Sequence, residues 1–197
     1  MADLIVAREN LEKKGYTAKL FETGEQAAAY INEQIDRTSV AIGGMKTAEQ
    51  LGLFDSLAEH NEVIWHWRQD AGEALPKAMT TDCYITSANA LSEDGTIVCI
   101  DHTGNRLSSI LYGHRKVYFV IGVNKLADTA DDAVWRARNV AAPLRAKSMG
   151  KKTPCVFKDR CFDCKSPDRI CNGMLTLMKP MGSSEMEVIL IDEELGM

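Results

Sequence analysis

The first half of the chain alternates between helical and strand patterns of apolar residues. Residues 3–14 place Leu4, Ala7 and Leu11 on one helical face, and Gly15 ends that helix. The same criteria predict strands at 16–21, 39–42 and 62–67, and helices at 25–35 (capped by Thr23), 47–51 and 71–79. This order is typical of α/β proteins.

The second half continues the pattern and ends differently. Strands are predicted at 83–87, 96–100, 117–122 and 187–191, and a helix at 129–140 that Pro143 stops. The continuous apolar run at 117–121 is of the kind buried on both faces of a sheet. We therefore expect one α/β domain over residues 1–197, with a mostly parallel sheet covered by helices on both faces. Its residues 152–180 are expected to form an irregular, cysteine-rich segment.

Length and composition exclude several classes of protein. The 197 residues fit one domain, and 45% hydrophobic against 26% charged residues is typical of a globular chain. The longest apolar runs fall far short of the roughly 20 residues that span a bilayer. The first residues show no basic stretch followed by an apolar one, as a signal peptide would. We therefore expect a cytoplasmic protein without a membrane partner.

Charge is unevenly distributed. The net charge is −5, but residues 136–179 contain 11 Lys/Arg against 3 Asp, a balance of +8 that leaves −13 for the remainder. A solvated face and an anion site both explain such a basic region. Nucleic acid is not expected as a partner, because no recognised binding motif is present and aromatic residues do not interleave with the basic ones.

Polar residues collect where the predicted strands end. In open α/β sheets, ligands bind beyond the carboxyl ends of the strands. We expect the strands that end near positions 42, 87, 100 and 122 to bring their following residues to one edge of the sheet. The candidate ligand-binding residues are Gly43, Gly44, Lys46, Thr47, Asn89, Thr103, Gly104, Asn105, Arg106, Asn124 and Lys125. Their cations and amides predict a small anionic ligand, either a carboxylate or a phosphate.

Four cysteines are the second candidate site. Cys155, Cys161, Cys164 and Cys171 have the spacing C-x5-C-x2-C-x6-C, whereas Cys83 and Cys99 lie in apolar strands and are interpreted as buried thiols. In a chain expected in the cytoplasm, such a set is more typical of metal binding than of disulfides.

The identity of the metal is left open between two groups. Four thiolates around Zn²⁺ carry a formal charge of −2, and a four-thiolate [4Fe–4S] cluster is also anionic, so either suits the basic residues nearby. The spacing matches neither the usual zinc ribbon nor the bacterial ferredoxin run. We favour Zn²⁺ as a fold staple, with a [4Fe–4S] cluster as the alternative.

Several short motifs, in order along the chain, carry a resemblance to a known family. They are Gly43-Gly44 with Thr47, Leu51-Gly52-Leu53, Ser92-Glu93-Asp94-Gly95-Thr96, Ile100-Asp101, Thr103-Gly104-Asn105-Arg106, Gly122-Val123-Asn124-Lys125, Arg138-Asn139-Val140-Ala141-Ala142-Pro143-Leu144 and Ser166-Pro167-Asp168-Arg169-Ile170-Cys171. From about Leu11 to Gly196 the chain resembles the LUD (lactate-utilisation) domain family. It departs from the family pattern at Met45, where a serine is usual, and at His102, where a glycine is usual.

The resemblance implies both a fold and a function. The implied fold is that of ribose-5-phosphate isomerase, glucosamine-6-phosphate deaminase and the CoA transferases. The implied function is a part in the oxidation of L-lactate or another small 2-hydroxy acid. An iron–sulfur oxidoreductase subunit is the implied partner, and a homo-oligomer is also open.

Two other functions remain alternatives at this stage. Glu93 resembles the glutamate with which CoA transferases form an acyl thioester, although an ordinary polar turn explains it as well. The chain could instead be a non-catalytic thiolate–metal module that docks partners or passes electrons. His102, beside the expected cleft, is a candidate for acid–base chemistry, because the ordinary pKa of histidine is about 6.5.

Overall fold

The computed structural model describes residues 2–197. The helices are α1 (Leu4–Lys14), α2 (Gly24–Gln34), α3 (Lys46–Gln50), α4 (Leu53–Ala58), α5 (Ala71–Ala78), α6 (Asn105–Leu111), α7 (Ala130–Arg136), α8 (Ala142–Ser148) and α9 (Pro154–Lys158). The strands are β1 (Thr17–Phe21), β2 (Ser39–Ile42), β3 (Glu62–Ile64), β4 (Cys83–Thr86), β5 (Ala90–Ser92), β6 (Ile97–Asp101), β7 (Lys116–Gly122), β8 (Leu126–Ala127), β9 (Gly173–Leu177) and β10 (Glu185–Ile191).

The larger sheet has six strands in the order β1-β10-β7-β4-β2-β3, and all of its pairs are parallel. Helices pack on both of its faces. Along β7, Val117, Phe119 and Ile121 belong to one apolar core, whereas Tyr118 and Val120 belong to the other. A strand buried on both faces reads as a continuous apolar run, so the predicted α/β class with a mostly parallel sheet is confirmed.

A smaller sheet, not predicted from the sequence, lies against one face of the larger one. Its order is β8-β5-β6-β9, with β5 and β9 antiparallel to β6. Ile97 and Cys99 of β6 pack into the core shared with the larger sheet, while Val98 and Ile100 pack against the helices around Ala137. The strand predicted at 96–100 therefore belongs to this second sheet and not to the parallel one.

Pro143 does not end the helix that precedes it, contrary to the prediction. The chain continues from α7 through a π-helical turn, Ala137–Ala141, into α8. In that turn the N–H of Ala142 donates to the carbonyl of Ala137, five residues back. Proline lacks the N–H of the ordinary helical bond, and the wider turn accommodates that loss.

The strand predicted at 62–67 is shorter in the structure and ends at Ile64. The Trp65 N–H donates to the side-chain oxygen of Gln69, and the Gln69 side-chain nitrogen donates to the Val63 carbonyl. These bonds turn the chain away from the sheet edge, because they satisfy the polar backbone groups without a neighbouring strand. The turn carries His66 and Trp67 toward the carboxyl ends of the strands.

The cysteine-rich segment is less irregular than predicted, since it contains α9 and β9. Exposed and less exposed residues alternate along β9, and the pairing of β9 with β6 aligns Leu175 with Cys99.

Among residues 2–197, no helix combines the length and the apolar character needed to cross a membrane.

Candidate functional site

Both sheets contribute to one cleft of about 320 Å³ at the carboxyl ends of β2, β4 and β7. The loop after β6 reaches this edge from the second sheet, so the strand ends meet there although they do not share one sheet. The cleft is lined by Gly44, Met45, Lys46, His66, Trp67, Ser87, Ala88, Asn89, Ile100, Asp101, His102, Thr103, Asn105, Arg106, Lys125, Ala141, Ala142, Arg145, Met149, Ile170, Gly196 and Met197. Its volume suits a small ligand, since such sites run from about 300 Å³ upward.

Arg106 is the most firmly held cation of the cleft. Its guanidinium is buried and donates to the Ser87 carbonyl (3.3 Å), the Asn89 side-chain oxygen (3.1 Å) and the Ile100 carbonyl (2.7 Å). These acceptors are neutral, and within residues 2–197 no carboxylate forms an ion pair with the guanidinium. A buried positive charge without an anionic partner is unfavourable, and an anionic ligand would relieve that cost.

Lys125 lies deeper, with 3% of its surface exposed. Its Nζ donates to Ser87 Oγ (2.7 Å) and to Thr47 Oγ1 (3.1 Å). Burial above all, and after it the charges of Arg136 and Arg106, lower the pKa of Lys125 to about 7. Near neutral pH this amine is therefore divided between charged and uncharged forms.

The other charged side chains of the lining are also mostly basic. Arg145 places its guanidinium over the Trp67 ring, 4.6 Å from the centroid, and Lys46 pairs with Glu49 at the rim. Among the lining residues, the acidic side chain is that of Asp101, whose oxygens accept the backbone N–H groups of His102 and Arg106. The cleft thus has the electrostatic character that attracts an anion.

The predicted ligand-binding residues divide into two groups. Gly44, Lys46, Asn89, Thr103, Asn105, Arg106 and Lys125 line the cleft, as does His102, which is exposed. The remaining four, which lie outside the lining, are Gly43, Thr47, Gly104 and Asn124.

Those four residues have structural contacts of their own. A Cβ at Gly43 would lie 2.6 Å from Tyr84 Oη, and Gly104 begins α6 with the positive φ of 92° that favours glycine. Thr47 holds the Lys125 amine, and the Asn124 side-chain oxygen accepts the Leu195 N–H. A direct role of these four residues in ligand binding stays a prediction.

Glu93 also lies outside the cleft. Its carboxylate accepts the Asp3 N–H at 2.6 Å, and its backbone N–H donates to the Ala127 carbonyl. Glu93 therefore connects the start of α1 to the second sheet.

Sequence reasoning missed several residues of the lining, above all His66, Trp67, Ser87 and Arg145. His66 falls within the strand predicted at 62–67, but that strand ends at Ile64 and His66 lines the cleft. Burial lowers the pKa of His66. Arg145 was not predicted to line the cleft, because Pro143 indicated that the helix ends before it. The pattern of charges alone does not show that a helix continues there.

The four cysteines of the C-terminal segment face one small cavity of about 20 Å³. Cys161 Sγ accepts from the Arg138 guanidinium (3.6 Å) and from the Asp163 N–H (3.4 Å). Arg169 donates to the carbonyls of Cys164 and Cys171. All six cysteines of the chain are free thiols in the structure.

The donor chemistry of this cavity fits a thiolate-bound metal, because four soft sulfur ligands converge next to two guanidinium groups. Within residues 2–197, however, no group of three or more His, Cys, Asp or Glu side chains is arranged to hold a metal ion. The four sulfurs of a zinc site lie about 3.8 Å apart, as Zn–S bonds of about 2.3 Å dictate. Metal binding therefore stays a prediction.

The two cavities are neighbours. Ala142, at the start of α8, and Ile170, in the cysteine-rich segment, line both the cleft and the cysteine cavity. A group held by the cysteines would therefore lie behind one wall of the cleft.

Comparison with known proteins identifies a family and a similar fold. A family model described as the LUD domain matches residues 5–191. Among solved structures, the chain is similar to a DUF162 family protein from Deinococcus radiodurans, with 14% identity, 95% coverage of each chain and a TM-score of 0.55. No curated protein matches the sequence. At that identity the solved structure shows the fold alone, whereas the family model spans nearly the whole chain, so this protein belongs to the LUD domain family and is in general terms related to lactate utilisation.

Proposed function

We propose that the cleft binds a small carboxylate of the 2-hydroxy-acid class, with L-lactate as the first candidate. The observation that carries this proposal is the buried Arg106 guanidinium, which faces the cleft with neutral acceptors only. Arg145 adds positive charge on the same lining. Arginine suits planar carboxylates, because its N–H groups can bind both oxygens at once.

Family membership narrows the choice of anion. A basic cleft accepts phosphates as well as carboxylates, but relation to lactate utilisation favours a 2-hydroxy acid. Oxidation of such an acid to a 2-oxo acid releases two electrons and two protons, which an acceptor must take. The proposal therefore includes an iron–sulfur oxidoreductase subunit as the partner that removes the electrons. Acyl transfer through Glu93 has less support, because that carboxylate lies outside the cleft.

Calorimetric titration with L-lactate tests the cleft. Arg106→Ala should weaken binding roughly tenfold or more, since a charge-assisted hydrogen bond is worth about 1.5–3 kcal/mol. Arg145→Ala should also weaken lactate binding. Because the Arg145 side chain is half-buried and has no buried acceptors, this variant is expected to fold even if Arg106→Ala does not. Arg115→Ala is the matched control, because Arg115 is exposed at the opposite edge of the sheet, beside the start of β7.

Two results would contradict the cleft assignment. One is lactate binding that neither Arg106→Ala nor Arg145→Ala changes relative to Arg115→Ala. The other is a wild-type protein that binds sugar phosphates but neither lactate nor any other 2-hydroxy acid.

We further propose that Cys155, Cys161, Cys164 and Cys171 hold a metal. Support comes from their shared cavity and from the N–H groups that approach Cys161 Sγ, since such bonds stabilise a thiolate. Bound metal would tie the basic segment to α8 and contribute to folding.

Elemental analysis and a visible spectrum of anaerobically purified protein test this site. A colourless protein with stoichiometric zinc indicates a structural Zn²⁺ site, whereas a brown protein with a broad absorption band indicates an iron–sulfur cluster. Cys164→Ser should lower metal content, and chelation should expose residues 152–180 to protease before the sheet opens. Cys83→Ala, at a buried thiol in β4, should leave metal content unchanged. Purified wild type without metal would contradict the proposal.

A further inference from the structure

Lys125 is buried and has no acidic partner among the residues that the structure describes, and neither property is needed by a lysine that binds a ligand through its charge. Its side chain is almost fully buried, yet it lines the cleft. Within residues 2–197 no Asp or Glu forms an ion pair with it, and the cations Arg106 and Arg136 act on it instead. A lysine whose task is to hold a carboxylate by charge is better served by a high pKa, whereas this environment opposes protonation.

The hydrogen bonds of the amine leave one direction free. An uncharged amine has two N–H groups and one lone pair. Here two donated bonds, to Ser87 Oγ and Thr47 Oγ1, use both N–H groups. The lone pair is then the part of the nitrogen that remains for a ligand. Burial and neighbouring positive charge are the means by which lysine becomes a nucleophile toward carbonyl carbon.

The surroundings also determine which carbonyl compound can reach the nitrogen. Arg106 Nη1 donates to the backbone carbonyl of Ser87, whose hydroxyl binds the Lys125 amine. The guanidinium that would hold a carboxylate thus lies beside the amine. A 2-oxo acid carries its carbonyl carbon directly next to its carboxylate, and so it can engage both groups at once.

We propose that Lys125 forms an imine with the C2 carbonyl of a 2-oxo acid bound in the cleft. This inference rests on the proposed function and narrows its ligand to the oxidised partner of a 2-hydroxy acid, such as pyruvate. Nζ attacks C2 and forms a C–N bond, and the C2–O bond then breaks. The oxygen leaves as water with both hydrogens of the amine, so no oxidant or reductant is consumed.

Reductive trapping tests the imine. Wild-type protein is incubated with pyruvate and cyanoborohydride, digested and analysed by peptide mass spectrometry. The peptide that contains Lys125 should gain the mass of pyruvic acid less one oxygen atom. L-lactate, which has no carbonyl group, should give no adduct. Lys125→Met and Lys125→Arg should both lose this adduct, and Lys19→Met, which changes an exposed lysine on β1, should retain it.

The pH dependence gives a second readout within the wild-type protein. Above neutral pH the Lys125 amine is already uncharged, whereas exposed lysines, with an ordinary pKa of about 10.4, continue to deprotonate. Labelling of Lys125 relative to exposed lysines should therefore fall about tenfold for each pH unit between 8 and 10.

Calorimetry separates failure of this inference from failure of the proposed function. Binding of lactate and pyruvate without any adduct at Lys125 overturns the imine and leaves the carboxylate cleft standing. Adducts spread over exposed lysines in proportion to their exposure also overturn it. If neither acid binds, the proposed function itself is wrong.

Discussion

Replacing Lys125 by methionine should stabilise the protein at low pH and lose that advantage as the pH rises. The wild-type amine has a pKa of about 7 when folded, against an ordinary value of 10.5. Between these values the unfolded chain binds a proton that the folded chain does not, so the stability of the wild type increases with pH. Methionine has a similar length and carries no proton.

The magnitude follows from the distance between the two pKa values. Each unit of difference between the two pKa values corresponds to about 1.4 kcal/mol. At pH 6 the charged Lys125 amine therefore lowers the free energy of unfolding of the wild type by at most roughly 5 kcal/mol. At pH 9 about 3 kcal/mol of that cost is gone. The variant also loses the two hydrogen bonds to Ser87 and Thr47, and this loss lowers its free energy of unfolding by the same amount at every pH.

Urea unfolding of both proteins at pH 6, 7, 8 and 9 measures this difference. Other titrating groups are common to the two chains and cancel in the subtraction. Lys19→Met, which changes an exposed lysine, is the control. Its difference in stability from wild type should stay constant from pH 6 to 9. A difference between Lys125→Met and wild type that stays constant from pH 6 to 9 would refute the reasoning, because it would mean that Lys125 is charged throughout.

Two further predictions concern the larger sheet and α1. Glu187→Ala should lower the free energy of unfolding by about 3 kcal/mol, because it leaves the mostly buried Lys116 without the carboxylate 2.7 Å away; Glu185→Ala, exposed on the same strand, should change it by less than about 0.5 kcal/mol in chemical denaturation. Glu93→Ala should lower the free energy of unfolding by about 0.5–1.5 kcal/mol, because the exposed Asp3 N–H exchanges the carboxylate for water, while lactate affinity stays unchanged. A reduced glutamyl thioester at Glu93 after treatment with acyl-CoA and borohydride would contradict that purely structural role.

Much of the cleft could be anticipated, because parallel strands bring their carboxyl ends to one edge. Arg106 and Lys125 were selected on that basis, and both line the cleft. The strand before Arg106, however, belongs to the second sheet and not to the parallel one. The loop arrives at the same place because β6 packs its Ile97 and Cys99 against the larger sheet.

Other parts of the site carry no local signal. His66 enters the cleft because a side-chain amide, Gln69, ends the strand before it, and Arg145 does so because a π-helical turn carries the helix past Pro143. Strands as short as β5 and β8 contain too few residues for a period to be recognised, and only their pairing partners define them.

The amino-acid sequence by itself determined the parallel core of this protein. Runs such as 117–121 are apolar at every position, so they are stable only where both faces are covered, and that condition selects an α/β sheet. The tertiary structure alone decided the chemistry of the cleft. Whether Lys125 is a solvated cation or a buried amine that is partly uncharged near neutral pH depends on desolvation and on the charges of Arg136 and Arg106, which are distant in sequence. Periodicity reports which face of an element is buried, but the charge state of a side chain depends on everything packed around it.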